Sequence, residues 1–368
     1  MVERRFDTDR RIVMTLDAGG TTLKFSAIQG NNLLLAPLRV PSEPHHLQRC
    51  LSRIIEGFEQ VQEVLPEPAT AISFAFPGPA DYPAGIIGDL PNLTAFRGGV
   101  PLGPMLEDRF GIPVFINNDG DLFTYGEAIA GFLPWVNSLL ENAGNPKRYR
   151  NLFGITLGTG LGGGVVVNGE LLVGDNSIAG EAWLLRNRLD AHLHAEEGAC
   201  IRAVRSHFSE EARVAEEACP EPHEIFDIGM GVKAGNRRAA ERAFQRLGRV
   251  AGDAVGQALT LLDGLAVIGG GISAAYPLFL PALVAEMNGA YQINGKDVRR
   301  LISHAYNIED PAEREAFLQY GAIRLTVPGS DRMVSYDAAP RTAVGVSRLG
   351  TSEAVAIGAY AFALSRLN

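Results

Sequence analysis

Short apolar runs separated by glycine and asparagine turns open the chain, and the same pattern returns past its middle. Ile12-Val13-Met14 leads into Thr15-Leu16-Asp17-Ala18-Gly19-Gly20-Thr21-Thr22. A second strand-like run, Leu23 to Ile28, then stops at Gly30-Asn31-Asn32 before Leu33-Leu34-Leu35. Later, residues 152–155 lead into Thr156-Leu157-Gly158-Thr159-Gly160-Leu161-Gly162-Gly163-Gly164, then Val165-Val166-Val167, the turn Asn168-Gly169 and Leu171-Leu172-Val173. Each segment predicts three strands joined by tight turns. Between them, Leu47, Leu51, Ile54, Ile55 and Phe58 predict a helix over 46–64. Residues 71–76 read as a buried strand stopped by Pro77-Gly78-Pro79, and helical spacing returns over 104–110. Residues 112–116 read as another buried strand, ending at Asn117-Asn118-Asp119, with a helix expected over 122–131. Residues 134–151, with Pro134, Asn142, Gly144, Asn145 and Pro146, read as a polar connector or surface insertion. Helices are expected over 201–218 and 237–262, a strand over 265–268 and an alanine-rich helix over 351–367; the pattern does not order residues 286–345.

The succession hairpin, helix, strand, helix, strand, helix is that of an α/β domain with a mixed sheet. Its partial repetition predicts two such domains. We place the first at residues 1–131, completed by the last helix at 351–368, and the second at residues 132–350.

At 368 residues the chain is long enough for two sizeable cores. A hydrophobic content of 46% with 20% charged residues is ordinary for a soluble globular protein. The net charge of −9 argues against a nucleic-acid partner or an acidic membrane surface. No apolar run is long enough to span a membrane, and the charged segment Met1 to Arg11 lacks a signal-peptide core. Cys50, Cys200 and Cys219 have no metal-type spacing, so they read as buried thiols in a reducing cytoplasm, with no structural zinc.

The two glycine hairpins carry the first chemical signal. Glycine permits positive φ and close approach, so successive N–H groups can converge on phosphate oxygens, with hydroxyls from Thr21, Thr22 and Thr159 beside them. Asp17 would repel phosphate by itself; it makes sense there if Mg²⁺ lies between them, directly or through water. For either hairpin alone, tight turning is a sufficient reason for the glycines.

Asn118-Asp119 ends a buried strand, where α/β sheets present ligand-binding groups. Asp119 could take a proton from a hydroxyl attacking a γ-phosphate, or it could only cap the next helix. Gly78 and Asn92 lie in rigid turns that also suit a pocket for sugar hydroxyls. Glu181 could accept two hydroxyl hydrogen bonds or be a solvated turn residue. Gly269-Gly270-Gly271 follows a buried strand without the spacing of a dinucleotide fingerprint or P-loop, and beside two phosphate hairpins it reads as an adenosine loop.

Taken together, Leu16 to Thr21, Asn118-Asp119 with Gly126-Glu127, Leu157 to Gly164, Ala179-Gly180-Glu181 and Ile268 to Ser273 resemble the ROK family (repressors, open reading frames, kinases). The motifs stand in family order and span most of residues 12–285. The resemblance implies the two-domain actin-like ATPase (ribonuclease H-like) α/β fold with duplicated mixed-sheet domains. It also implies ATP-dependent phosphorylation of a hexose or N-acetylhexosamine between two closing domains, with glucose to glucose 6-phosphate as the leading reaction. By that resemblance Asp119 is the catalytic base, and Gly78, Asn92, Asn118, Asp119 and Glu181 hold the sugar. Asp17 organises Mg²⁺, while Asp17, Gly19, Gly20, Thr21, Thr22, Lys24, Gly158, Thr159, Gly160, Gly269, Gly270 and Gly271 contact the nucleotide. A homodimer is implied as well.

Two positions depart from the family. Leu184 stands where a histidine is frequent, and Arg202 stands near the place of a second sugar-binding glutamate, after a segment that lacks the zinc-binding cysteines. They raise the alternative of a sugar-binding protein with weakened catalysis. A sugar-sensing repressor would carry a helix-turn-helix module ahead of the first hairpin, where only Met1 to Arg11 stand here.

Overall fold

The computed structural model describes residues 6–18, 22–90 and 93–367. Strand β1 (Val13–Ala18) pairs antiparallel with β2 (Thr22–Gln29), and β3 (Asn32–Leu33) and β4 (Leu38–Pro41) both pair with β2. Helix α1 (Leu47–Val64) leads to β5 (Ala71–Ala75) and a small sheet of β6 (Ala80–Asp81), β7 (Ile86–Ile87) and β8 (Val100–Pro101). Then come α2 (Leu102–Phe110), β9 (Val114–Asn117), α3 (Asp119–Ile129) and α4 (Phe132–Asn142). A second hairpin follows, made of β10 (Leu152–Leu157), β11 (Leu161–Val167) and β12 (Glu170–Leu171). Beyond it lie α5 (Ile201–Ala212), α6 (Pro222–Gly229), α7 (Arg237–Leu262), β13 (Leu265–Gly269) and α8 (Tyr276–Met287). The remainder is the hairpin β14 (Ala290–Ile293) and β15 (Lys296–Arg299), β16 (His304–Asn307), α9 (Pro311–Leu318), the hairpin β17 (Ile323–Thr326) and β18 (Met333–Tyr336), β19 (Arg341–Val346) and α10 (Thr351–Arg366).

Two six-stranded sheets share one plan. In the first the order is β3-β2-β1-β5-β9, with β4 also on β2; in the second it is β12-β11-β10-β13-β19-β16. In each, an antiparallel hairpin leads through its first strand into parallel neighbours. The central parallel strands β5 and β13 are buried along their whole length, as their largely apolar sequences favour. Two compact units emerge: Met1–Pro134 with Gly163–Gly180 and Arg348–Asn368, and Trp135–Gly162 with Glu181–Ser347. All three cysteines are buried thiols. Among the described residues no helix is long and apolar enough to cross a membrane.

Three elements differ from the pattern-based expectation. The segment read as a connector from 134 holds α4, whose Phe132, Leu133, Val136 and Leu140 are buried; Pro134 sits in the first turn, where a missing N–H costs nothing. The helix expected over 201–218 stops at Ala212, because Arg213 turns left-handed with φ 56°. Helix α3 starts at Asp119 rather than 122, since the Asn118 side chain already caps it by accepting the Gly120 N–H at 2.7 Å. The unordered stretch contains β16 and β19, which complete the parallel part of the second sheet.

In the first unit, α3 and α10 meet backbone to backbone. A Cβ at Gly126 would fall on the Ala354 carbonyl, and one at Gly358 on the Leu122 carbonyl. Next to this contact the fully buried Glu127 carboxylate accepts the N–H groups of Phe132 at 2.7 Å, Arg348 at 3.1 Å and Leu349 at 3.1 Å. The Gly126-Glu127 pair therefore serves helix packing and backbone satisfaction. Gly358→Ala should lower unfolding stability by about 1–3 kcal/mol through overpacking. Denaturant titration measures this; an unchanged midpoint would mean the helices can part freely.

Candidate active site

In the first unit three parallel strands end level with one another. Asp17 of β1 pairs with Ala75 of β5, which pairs with Asn117 of β9. Asp17, the Phe76-Pro77-Gly78 turn and Asn118-Asp119 thus leave the carboxyl edge of one sheet, where such folds place their ligands. The Phe76 N–H donates to the Asn117 carbonyl at 3.0 Å, and the Tyr82 hydroxyl donates to the Phe76 carbonyl at 3.0 Å. A side chain on Gly78 would begin 3.1 Å from that hydroxyl oxygen, so the turn is held close to Tyr82. Buried Asn117 accepts the Asn118 N–H at 2.8 Å, which fixes the path into α3.

Asn118 is the helix cap, so capping is not what Asp119 is needed for. Asp119 opens the helix and accepts the Gly120 N–H at 3.0 Å. Asp119 itself is exposed, while protein atoms crowd around its carboxylate. That desolvation is the largest influence on it and raises its pKa; the N–H groups of Gly120 and of Asp119 itself lower it, and the negative charge of Asp17 raises it further. The net direction is upward.

Glycines set the position of that helix start. A Cβ on Gly120 would overlap the Gly163 backbone; one on Gly164 would lie 2.6 Å from both the Gly120 carbonyl oxygen and the Thr124 hydroxyl. Gly180, at φ 82°, packs on the same spot, where a methyl group on it would lie 3.0 Å from the Gly164 Cα. Gly163 and Gly164 thus serve the seating of α3, a role that no spacing rule along the sequence connects with Gly120.

Asp17 and Lys24 face each other across the β1–β2 hairpin, with Nζ 2.9 Å from Oδ2. The Ser352 hydroxyl, in the first turn of α10, reaches the same oxygen at 3.5 Å. Oδ1 of Asp17 keeps no partner among the described residues. One free carboxylate oxygen suits Mg²⁺, which retains several waters and takes one or two carboxylates along with substrate phosphates. Thr22 begins β2, half-buried. Gly19, Gly20, Thr21 and Asn92 lie outside the described residues.

In the second unit, β10 ends in a tight turn. The Gly158 N–H donates to the Gly160 carbonyl at 2.9 Å, whereas the N–H groups of Thr159 and Gly160 and the exposed Thr159 hydroxyl have no partner among the described residues. The loop after β13 packs on that strand end. Gly270 has φ 86°, and a Cβ there would overlap Leu157; the Ile272 N–H donates to the Leu157 carbonyl at 3.0 Å. The Ser273 hydroxyl donates back to the Gly270 carbonyl at 2.7 Å, while Gly271 faces open space. Gly158 to Gly160 and Gly269 to Gly271 are therefore neighbours at one sheet edge.

Glu181 accepts from the Trp183 indole N–H, and that ring stands edge-on to His194 with centroids 5.3 Å apart. Leu184 is 59% exposed, and the exposed Arg202 pairs with Glu197 at 3.0 Å. Trp183 and Ser352 touch candidate site residues without any sequence motif to mark them. Among the described residues no group of three or more His, Cys, Asp or Glu gathers as a metal site.

The raised pKa of Asp119 has a stability consequence of definite sign. A carboxyl that holds its proton more tightly in the folded state destabilises the fold wherever it is ionised, that is, above its folded pKa. Asp119→Asn should therefore raise the melting temperature at neutral pH. The gain should shrink as pH falls from the folded pKa toward the ordinary value of 3.8. Thermal melts from pH 3 to 8 (about the carboxylate range) test this, and a destabilised variant at neutral pH would contradict it.

A family model described as "ROK family" matches residues 13–305. A glucokinase of Streptomyces coelicolor is 24% identical over 282 residues, covering 71% of this chain and 82% of the relative. An N-acetyl-D-glucosamine kinase of Vibrio vulnificus is 29% identical over 272 residues, covering 70% and 83%. Among solved structures, a glucokinase from Parabacteroides distasonis superposes with a TM-score of 0.89 at 50% identity, covering 99% of this chain and all of that one. A ROK glucokinase from Streptomyces griseus, solved with glucose and AMPPNP, gives 0.61 at 19% identity over 95% and 98%, a likeness of fold. The α/β actin-like ATPase fold expected from the motifs is the fold observed, and the chain belongs to the ROK family.

Proposed function

We propose that the protein transfers the γ-phosphoryl group of ATP to a hexose hydroxyl, with glucose as acceptor and glucose 6-phosphate as product. The observation that carries this reading is the place of Asp119, the first residue of α3, two positions beyond Asn117, whose register in the sheet is level with Asp17. The glucokinase relatives support the choice of sugar. A second acceptor class, N-acetylhexosamines, is supported by the N-acetylglucosamine kinases among the relatives, and by Leu184 and Arg202, which offer this chain different chemistry for reading one side of the ring.

Asp119 accepts the proton of the attacking hydroxyl as that oxygen bonds to the γ-phosphorus. The bond from phosphorus to the bridging oxygen breaks, and ADP leaves with the electron pair. Asn118, Gly78, Asn92 and Glu181 orient the sugar, and the Trp183 N–H holds Glu181 in one rotamer. The free N–H groups of Thr159 and Gly160 and the Thr159 hydroxyl receive phosphate oxygens, as the hairpin residues Gly19, Gly20, Thr21 and Thr22 do. The Gly269–Gly271 loop lies against the adenosine. Mg²⁺, when bound, neutralises phosphate charge, with Asp17 placing it and Lys24 fixing Asp17. In this reading the protein works as a homodimer in the cytoplasm, and no structural zinc takes part.

The test is ADP release by purified protein with ATP, Mg²⁺ and a panel of hexoses and N-acetylhexosamines. Turnover is expected with glucose or a close relative, and Asp119→Asn should lower kcat by about 10²–10⁴-fold while nucleotide binding persists. No turnover with any sugar would overturn the kinase reading in favour of a sugar-binding protein. Full activity in the variant would remove Asp119 from the mechanism.

A further inference from the structure

The turn that offers free N–H groups in the second unit is not held by its own strand alone. A short 3-10 turn, Ala195–Gly198, lies over it. The Glu196 Oε2 accepts the Leu161 N–H at 3.1 Å, at the point where β11 begins. The same oxygen would lie 2.6 Å from a Cβ built on Gly160, so the carboxylate fills the space that a side chain there would need. At the other end of this segment the Ile201 N–H donates to the Gly158 carbonyl at 2.8 Å. Gly158 and Leu161, which bracket Thr159 and Gly160, are thus each hydrogen-bonded to one neighbouring segment.

That segment is itself anchored. Ala195, Ala199 and Cys200 are fully buried, and the Ala195 N–H donates to the Leu185 carbonyl at 2.6 Å. The Gly198 carbonyl receives Nε2 of buried His207 at 3.1 Å, and a methyl group on Gly198 would press on Asn187 and Val250. Glu196 forms no ion pair among the described residues. A side-chain oxygen of Glu196 is thus the acceptor that satisfies the Leu161 N–H.

We infer that Glu196 is a positioning residue for the nucleotide, pinning the Gly158–Leu161 turn so that the Thr159 and Gly160 N–H groups point together at phosphate oxygens. The inference rests on the kinase reading, since it takes that turn as the phosphate cradle. It concerns nucleotide affinity and leaves the sugar untouched. Two substitutions separate its parts. Glu196→Gln keeps an acceptor oxygen for Leu161, whereas Glu196→Ala removes it. Gly160→Ala reaches the same contact from the opposite side, by pushing the carboxylate away.

The experiment is calorimetric titration of the full chain with Mg²⁺·AMPPNP, alongside KM for ATP and for the accepted sugar, with a melting curve for each variant. Leaving the Leu161 N–H without its acceptor predicts about 10–100-fold weaker AMPPNP binding in Glu196→Ala and in Gly160→Ala. Glu196→Gln should stay within about threefold of the native protein, since an amide oxygen still accepts. The sugar KM should not move in any of them. Native AMPPNP affinity in Glu196→Ala would overturn the assignment. So would a Gln variant as weak as Ala, which would make charge the determinant, and so would a change confined to the sugar KM. If the native protein fails to bind AMPPNP, the kinase reading falls and this assignment falls with it.

Discussion

The first turn of α3 lies against the backbone of Gly163 and Gly164 with no side chain between them, and Gly180 closes on the same place. Nearly everything proposed for the site depends on that approach. It brings a helix start, with its cap Asn118 and its first residue Asp119, against the glycine-rich strand β11. A single methyl group at Gly120 or Gly164 would have to displace backbone, which cannot yield as a flexible side chain can. The same economy of side chains recurs where α3 meets α10, through Gly126 and Gly358. Helix α3 is therefore located from two sides by contacts that have almost no slack.

Electrostatics then give the located groups different characters. Asp17 has the Lys24 ammonium directly across its hairpin. Asp119 has no such partner among the described residues; desolvation and the neighbouring Asp17 both favour its protonated form. The two carboxylates therefore differ in their surroundings, as the roles proposed for them require. In the second unit, the loop at Gly269–Gly271 packs on the end of the strand that leads into the Gly158–Gly160 turn, through Gly270 and the Ile272 N–H.

Much of this was legible in the sequence because it is written in local pattern. The hairpins, the buried strands and the strand-end position of Asp119 follow from apolar runs and turn residues that act on their neighbours in the chain. What the pattern missed is long-range. Helix α4 was hidden because Pro134 reads as a breaker until its place in a first turn is known. Strands β16 and β19 were lost among two exposed hairpins, β14–β15 and β17–β18, whose strand signals are just as strong. Gly163 and Gly164 carried the right composition for a phosphate hairpin, yet the structure gives them to α3. Glu196 and Trp183 had no motif, since each matters through a side-chain contact that no local pattern encodes.

The most direct measurement is kcat of Gly164→Ala at saturating ATP and sugar, with the near-ultraviolet circular dichroism spectrum as a check on folding. If the glycine seat sets the position of Asp119, misplacing that carboxylate should lower kcat by about 100-fold while the KM for ATP stays near the native value. A folded variant with native kcat would show that the helix start does not need this seat, and would contradict the account.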